Sequence, residues 1–488
     1  MGNLRILAAF AASLMLLGCA SAEPIETSTP AEVAVDETQA AEPAESNAPV
    51  VNAGDSCRRA GEQLQSAGGD LVCRTHSDEK NYWVQLAGTD SFPGQIEGDF
   101  LPVEMCKIQD QRPRFERGGG SIAFPRSEER IPANGVVNVA IIPIDYPDVP
   151  GTKKPTEWIQ ESLDKVDAWT EFFTDGRLKY NWIIHDDWIT MPKEAKWYVW
   201  DHATIVDGRY IMGDRQLQSD YDQAYDVFSA AEEHFDLNEI EFAWVFSYPG
   251  AKEVDWAPGY MMNERVPTKS GVYDISYYSI GTFIYAANPN TDHNRPLWIT
   301  LLHEMGHAHG IAGHAPGNGW AYDVMASGST LSAWNGWIVD WIPDEEFVCI
   351  DGSVPGDHKV VLDSVDLNRG GTIAAVVRLS DSEVIVVESR RKGPFSIDFP
   401  EGFAAITGTY VDSTMVYQRY DSNYEKEKLY FSYFIRAEDA DRQFVLGPPG
   451  LGDENLIGYL GDTLVHENVR ISLVESAEFD TVEITVMP

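Results

Sequence analysis

Basic residues are scarce: 36 Lys and Arg stand against 77 Asp and Glu, a formal net charge of −41 over 488 residues. A surface of that sign repels phosphate backbones, which argues against nucleic acid as a partner. The acidity serves solubility; Ca2+ binding by clustered carboxylates would need a ligand loop, and none is identifiable. Cysteine is sparse too, 5 in all with no C-x-x-C pair, which argues against thiolate zinc sites. Beyond the N-terminus no apolar run is long enough to cross a bilayer. The glycines of "RGGGS" near Gly118 lack the lysine and helix of a phosphate loop. No nucleophile elbow supports a Ser-His-Asp site, and no repeat of fixed period is present.

What is present begins at residue 1. "MGNLRILAAFAASLMLLGCA" has one Arg and a short apolar run, then Leu-Leu-Gly-Cys. An h-region of this length is a secretory signal and too short for a spanning helix. Its end resembles the lipobox of bacterial lipoproteins, which implies cleavage before Cys19, acylation of that cysteine and a lipid-anchored, extracytoplasmic body, in the outer membrane if the cell is Gram-negative. An ordinary signal peptide is the alternative. Cys57, Cys73, Cys106 and Cys349 then remain, an even number in an exported chain, with three connectivities open. Local spacing favours Cys57–Cys73, leaving Cys106 with Cys349.

Composition divides the chain. Residues 1–19 are the signal, and 20–56 form an acidic tether without Lys, Arg or aromatic residues, which cannot bury enough surface to fold. Residues 57–90 form a small cysteine-closed module with a turn at Gly68-Gly69, and 91–135 a connecting segment. From 136 to 348 strand and helix patterns interleave. "VVNVAIIPIDYP" reads as a buried strand, and "TEWIQESLDKVDAWTEFF" as a helix opened by a threonine cap. A second helix is expected near "QAYDVFSAAEEHF" and further strands at "RLKYNWIIHDDWITMP", "IEFAWVFSYPG" and "YYSIGTFIYAA". From 349 to 488 short β-branched runs with turn punctuation predict an all-β sandwich. The fold class expected for the whole is α+β.

The chemistry concentrates in "LLHEMGHAHGIAGH", residues 301–314. Pro296 can open a helix and Gly310 can end it. Within that helix His303 and His307 stand four apart, so both imidazoles leave one face. A zinc ion needs two such nitrogens about 2.0–2.1 Å away. Glu304, beside the first histidine, can reach a metal-bound water without binding the metal. His309 leaves the opposite side and takes a supporting or solvated position. Chance matches to H-E-x-x-H number ~0.02 in a chain of this composition. The third ligand is expected to be His314, with Asp323 as the alternative carboxylate.

The segment resembles the metzincin metallopeptidases, whose pattern runs H-E-x-x-H-x-x-G-x-x-H and then a methionine turn. His303, Glu304, His307 and Gly310 match; Gly313 stands where the third histidine is expected, and His314 follows one residue late. Inserting one residue in a turn costs little closure entropy, so His314 can still arrive. Met325, in "AYDVMASG", falls where the methionine turn would. About residues 100–488 are similar to immune inhibitor A-type peptidases, with a gametolysin-like histidine-alanine after the glycine turn. The resemblance implies a metzincin-like zinc peptidase domain, a twisted sheet plus active-site helix, followed by an all-β sandwich. It also implies one catalytic Zn2+, Glu304 as general base, and protein or peptide substrates, with Tyr322 a candidate to steady the oxyanion. Trp334, Trp337 and Trp341 read as one core-facing helix stripe. "ESRR", with Glu388, Arg390 and Arg391, reads as a strand-end ion network. Two other functions stay open: a surface adhesion or binding lipoprotein with a structural zinc, and zinc hydrolysis of a bond other than peptide.

Overall fold

The computed structural model describes residues 63–66, 69–75, 81–85, 97–112, 120–128, 130–198, 204–206, 209–211, 220–251, 261–280, 296–314, 322–326, 328–414, 432–435 and 457–488. The chain divides into two units, 1–49 and 50–488, and every described residue lies in the second. The signal segment, Cys19, the acidic tether and Cys57 lie outside the described residues. Among the described residues no helix is long and apolar enough to cross a membrane.

Strands β1 (Gln63–Ser66), β2 (Gly69–Thr75) and β3 (Asn81–Gln85) form a small antiparallel sheet. Ser66 pairs with Gly69, so Gly69, expected in the turn, opens β2 instead. Cys73 sits in β2 opposite Trp83.

The long run at Val136 forms β4 (Gly135–Asp145), buried almost continuously from Val137 onward. Helix α1 (Thr156–Thr174) follows, then β5 (Leu178–Ile184) and the short β6 (Ile189–Thr190). A two-stranded ribbon, β7 (Thr204–Val206) and β8 (Arg209–Ile211), precedes α2 (Asp220–Ala231). Strands β9 (Phe242–Ser247), β10 (Met261–Pro267) and β11 (Val272–Ile280) complete a sheet ordered β10-β11-β9-β4-β5. Its strands run parallel except β10, antiparallel to β11. Both faces of a parallel sheet must be covered, so β4 carries apolar side chains on each. Val137, Val139 and Ile141 join the core that contains Leu163, Val166 and Trp169 of α1. Ala140, Ile142 and Ile144 join a second core with Val227 and Phe228 of α2. The threonine cap is not formed: Pro155 is the N-cap residue, and the Thr156 hydroxyl donates to Asp186. Proline needs no N–H partner at a helix start, so the hydroxyl is free to bond elsewhere.

Helix α3 (Leu297–His309) carries the histidines and α4 (Ala333–Ile338) the first two tryptophans of the stripe. Trp334, Trp337 and Trp341 are each 2 % exposed, as core residues should be, but the helix ends at Ile338 before Trp341. Beyond it stand two sheets. One is ordered β12 (Phe347–Asp351), β14 (Ala374–Arg378), β15 (Glu383–Arg391), β16 (Ala404–Asp412), β17 (Ser432–Phe434). The other is ordered β13 (Gly356–Leu362), β20 (Asp480–Val486), β19 (Val469–Ser476), β18 (Thr463–His466). Ala375, Val377, Ile385 and Val387 share a core with Val360, Ile471, Val482 and Ile484. The alternate residues of the first sheet, Val376, Val384, Val386 and Val411, enter the core of α1 and α3. The whole is α+β, and β12 runs through position 348–349. Cys106 is bonded to Cys349 in that strand, with a sequence separation of 243.

Candidate metal centre

Pro296 is the N-cap of α3 and Gly310 its left-handed C-cap at φ 111°, whose N–H donates to the carbonyls of Gly306 and His307. Left-handed backbone is costly for any residue with a Cβ, so glycine is the residue for that stop. Gly313 is also left-handed, at φ 62°. This second reversal returns the chain toward the helix and brings in His314, one residue later than the motif has it. His303, His307 and His314 present ligand nitrogens that all lie within 4.8 Å of one another. Their ring centroids are 4.9, 5.0 and 5.5 Å apart. Among the described residues this is the only group of three or more His, Cys, Asp or Glu side chains so arranged.

Two rings are fixed in orientation. His303 Nδ1 donates to the Val324 carbonyl at 2.8 Å, and His307 Nδ1 to the Ile311 carbonyl at 2.9 Å. A carbonyl can only accept, so each Nδ1 donates, which makes Nε2 the nitrogen that would ligate a metal. Burial and the neighbouring His303 hold the His307 ring well toward its neutral form, and burial acts likewise on His314. Neutral imidazole is the form that ligates, and a nitrogen-only set suits zinc among common divalent ions. The residues fit Zn2+.

Each carbonyl that orients a ring is itself held. Ile311 donates its N–H to Gly306, and Ala312 donates to Ser121, so residues 120–122 run beside the turn. Arg126 donates to the carbonyl of His309 at the helix C-terminus, where the dipole favours a cation. On the other side, Val324 and Met325 lie in a 3-10 turn (Val324–Ala326). Met325 is fully buried, and a Cβ at Gly306 would meet its sulfur at 2.5 Å. The thioether therefore packs directly on the helix backbone between the two histidines.

The alternative ligand Asp323 is not among the converging groups. Its carboxylate accepts from the N–H of Met325 and of Ser332, each at 2.6 Å, and it is fully buried. Burial pushes its carboxyl up to about 6 against those donors. It fastens the turn. His309 is not solvated: the side of α3 opposite the metal face is core, where its Nε2 meets the Tyr180 hydroxyl at 2.9 Å and its ring meets Trp341. Tyr322 is 1 % exposed and packs on Phe399, in a small aromatic core with Phe403.

Glu304 lies half-buried on α3, one residue from His303. Burial pushes its carboxyl up to about 8, partly offset by the Tyr278 hydroxyl, which donates to it. Burial and that carboxylate together raise the Tyr278 phenol. Tyr278, on β11, escaped sequence reasoning: it is 26 residues away and only strand pairing brings it to the helix. No family model matches the chain, and no curated protein is significantly similar to it. The site thus defines a protein able to bind a metal such as zinc through three histidines.

Proposed function

We propose that the chain is an exported, zinc-dependent endopeptidase. The convergence of three imidazoles on a helix that also carries Glu304 supports this reading. His303, His307 and His314 would hold the zinc, which when bound would supply a water acidified toward a pKa of about 7. Glu304 takes the proton of the attacking water and passes it to the leaving amine. Tyr278, donating to Glu304, holds the carboxylate in one orientation. The spacing His303-Glu304-x-x-His307-x-x-Gly310, with Met325 packed on Gly306, supports a metzincin-type peptidase. Acylation at Cys19 would tether the body outside the membrane, where protein and peptide substrates are met.

A histidine-only triad serves equally in a binding or adhesion lipoprotein with a structural zinc. That second reading is favoured by the Glu304 carboxyl being engaged with Tyr278. Digestion of casein by the zinc-loaded chain, its chelated form and Glu304→Gln separates the two. The peptidase reading expects cleavage that chelation abolishes and zinc restores, with Glu304→Gln keeping zinc and losing nearly all turnover. Zinc binding without cleavage establishes the binding reading.

A further inference from the structure

The segment Ser329–Ala333, which closes the loop begun by Asp323, is gripped from the β-sheet half of the molecule. Arg390 on β15 is fully buried and donates to the carbonyl of Leu331 at 3.1 Å, to Asp366 at 3.3 Å and to Glu388 at 3.0 Å. Glu388, also on β15, accepts the N–H of Ala333 at 2.7 Å, at the start of α4. The N–H of Ile397 donates to the Ser329 hydroxyl at 3.1 Å. The ion network expected at this strand end is present, and its Glu388 and Arg390 are buried in the core. Buried charges persist only when paired, and losing one partner strands the rest.

The gripped segment leads to the metal. Thr330 accepts the N–H of Val324 at 2.7 Å, and Ser332 donates to Asp323, whose carboxylate also holds Met325. Val324 then offers its carbonyl to His303 Nδ1. We infer that Arg390 and Glu388 are positioning residues for the metal site: the β15 strand sets the height of the Val324 carbonyl and so the aim of His303. The β-sheet half is then a working part of the zinc centre, not a separable appendage. This rests on zinc at the three histidines and not on peptide hydrolysis.

The test compares zinc affinity, by competition with a chromophoric chelator, in the full chain and three variants. Arg390→Met removes every bond to the segment from that guanidinium. Glu388→Gln is nearly isosteric and remains the usable variant if the first does not fold. Val482→Ala, in the core between the two β-sheets, supplies a matched loss of stability without touching the segment. Removal of a group that orients a metal ligand costs about 10–100-fold in affinity. That loss is expected for Arg390→Met, about 3–10-fold for Glu388→Gln, and less than about 2-fold for Val482→Ala. Parent-like affinity in folded Arg390→Met or Glu388→Gln, or an equal loss in Val482→Ala, overturns the inference. A parent chain that binds no zinc overturns the metal reading itself.

Discussion

Gly306→Ala probes the contact between the histidine helix and the methionine turn. In an exposed helix this change stabilises by about 0.8–1 kcal/mol, because alanine has less backbone entropy to lose. Here the new Cβ would lie 2.5 Å from the Met325 sulfur, 3.4 Å from its methyl and 3.6 Å from Ile311. Met325 is fully buried, with its backbone N–H fixed by Asp323, so it has little room to retreat. Overpacking of this kind costs about 1–3 kcal/mol. The two effects leave a net loss of about 0–2 kcal/mol. Removing the clash partner reverses the sign: in a Met325→Ala background, itself about 2–5 kcal/mol less stable, Gly306→Ala should stabilise by about 1 kcal/mol. Denaturant melts of the four proteins give the coupling, expected at about 1–3 kcal/mol. Gly306→Ala should also weaken zinc by about 10-fold, since a displaced Met325 carries the Val324 carbonyl with it. Stabilisation by about 1 kcal/mol in both backgrounds would refute the packing of Met325 on Gly306.

Replacing both Cys106 and Cys349 by serine opens a crosslink of sequence separation 243. It should cost about 2–5 kcal/mol, read as a lower denaturant midpoint; an unchanged midpoint contradicts that bond. His466, against the Tyr410 ring at 4.5 Å, has its pKa lowered by burial despite nearby Glu467 and Glu383. The folded form then binds fewer protons than the unfolded one, so its contribution is present above about pH 6.5 and lost as pH falls below it. His466→Phe cannot titrate and should flatten the decline in stability between about pH 7 and 5; an unchanged slope removes His466 as the cause.

The helix of the metal site was legible because its signals are local. Proline before, glycine after and histidines at four-residue spacing all act within one helix, and Pro296, Gly310, His303 and His307 stand as expected. The third imidazole was harder. Whether His314 or Asp323 completes the set depends on turn dihedrals, and the left-handed Gly313 is visible only in the fold. Asp323 could equally have been a ligand by residue type; its two N–H donors lie on a turn that sequence does not draw. The solvated alternative for His309 failed because periodicity locates the opposite face of α3 without saying what covers it. Tyr278, and the reach of Arg390 to the Leu331 carbonyl, were hidden for the same reason, since only strand pairing and the tertiary fold bring them in. β-branched runs announced the strands of both terminal sheets, but not that one sheet would lend its other face to the helices.

X-ray absorption at the zinc edge of the metal-loaded chain tests the centre most directly. One zinc per chain bound by three imidazoles and a single oxygen is the result expected from the converging nitrogens of His303, His307 and His314. Substoichiometric zinc, or a shell closed by a fourth protein ligand, would contradict it.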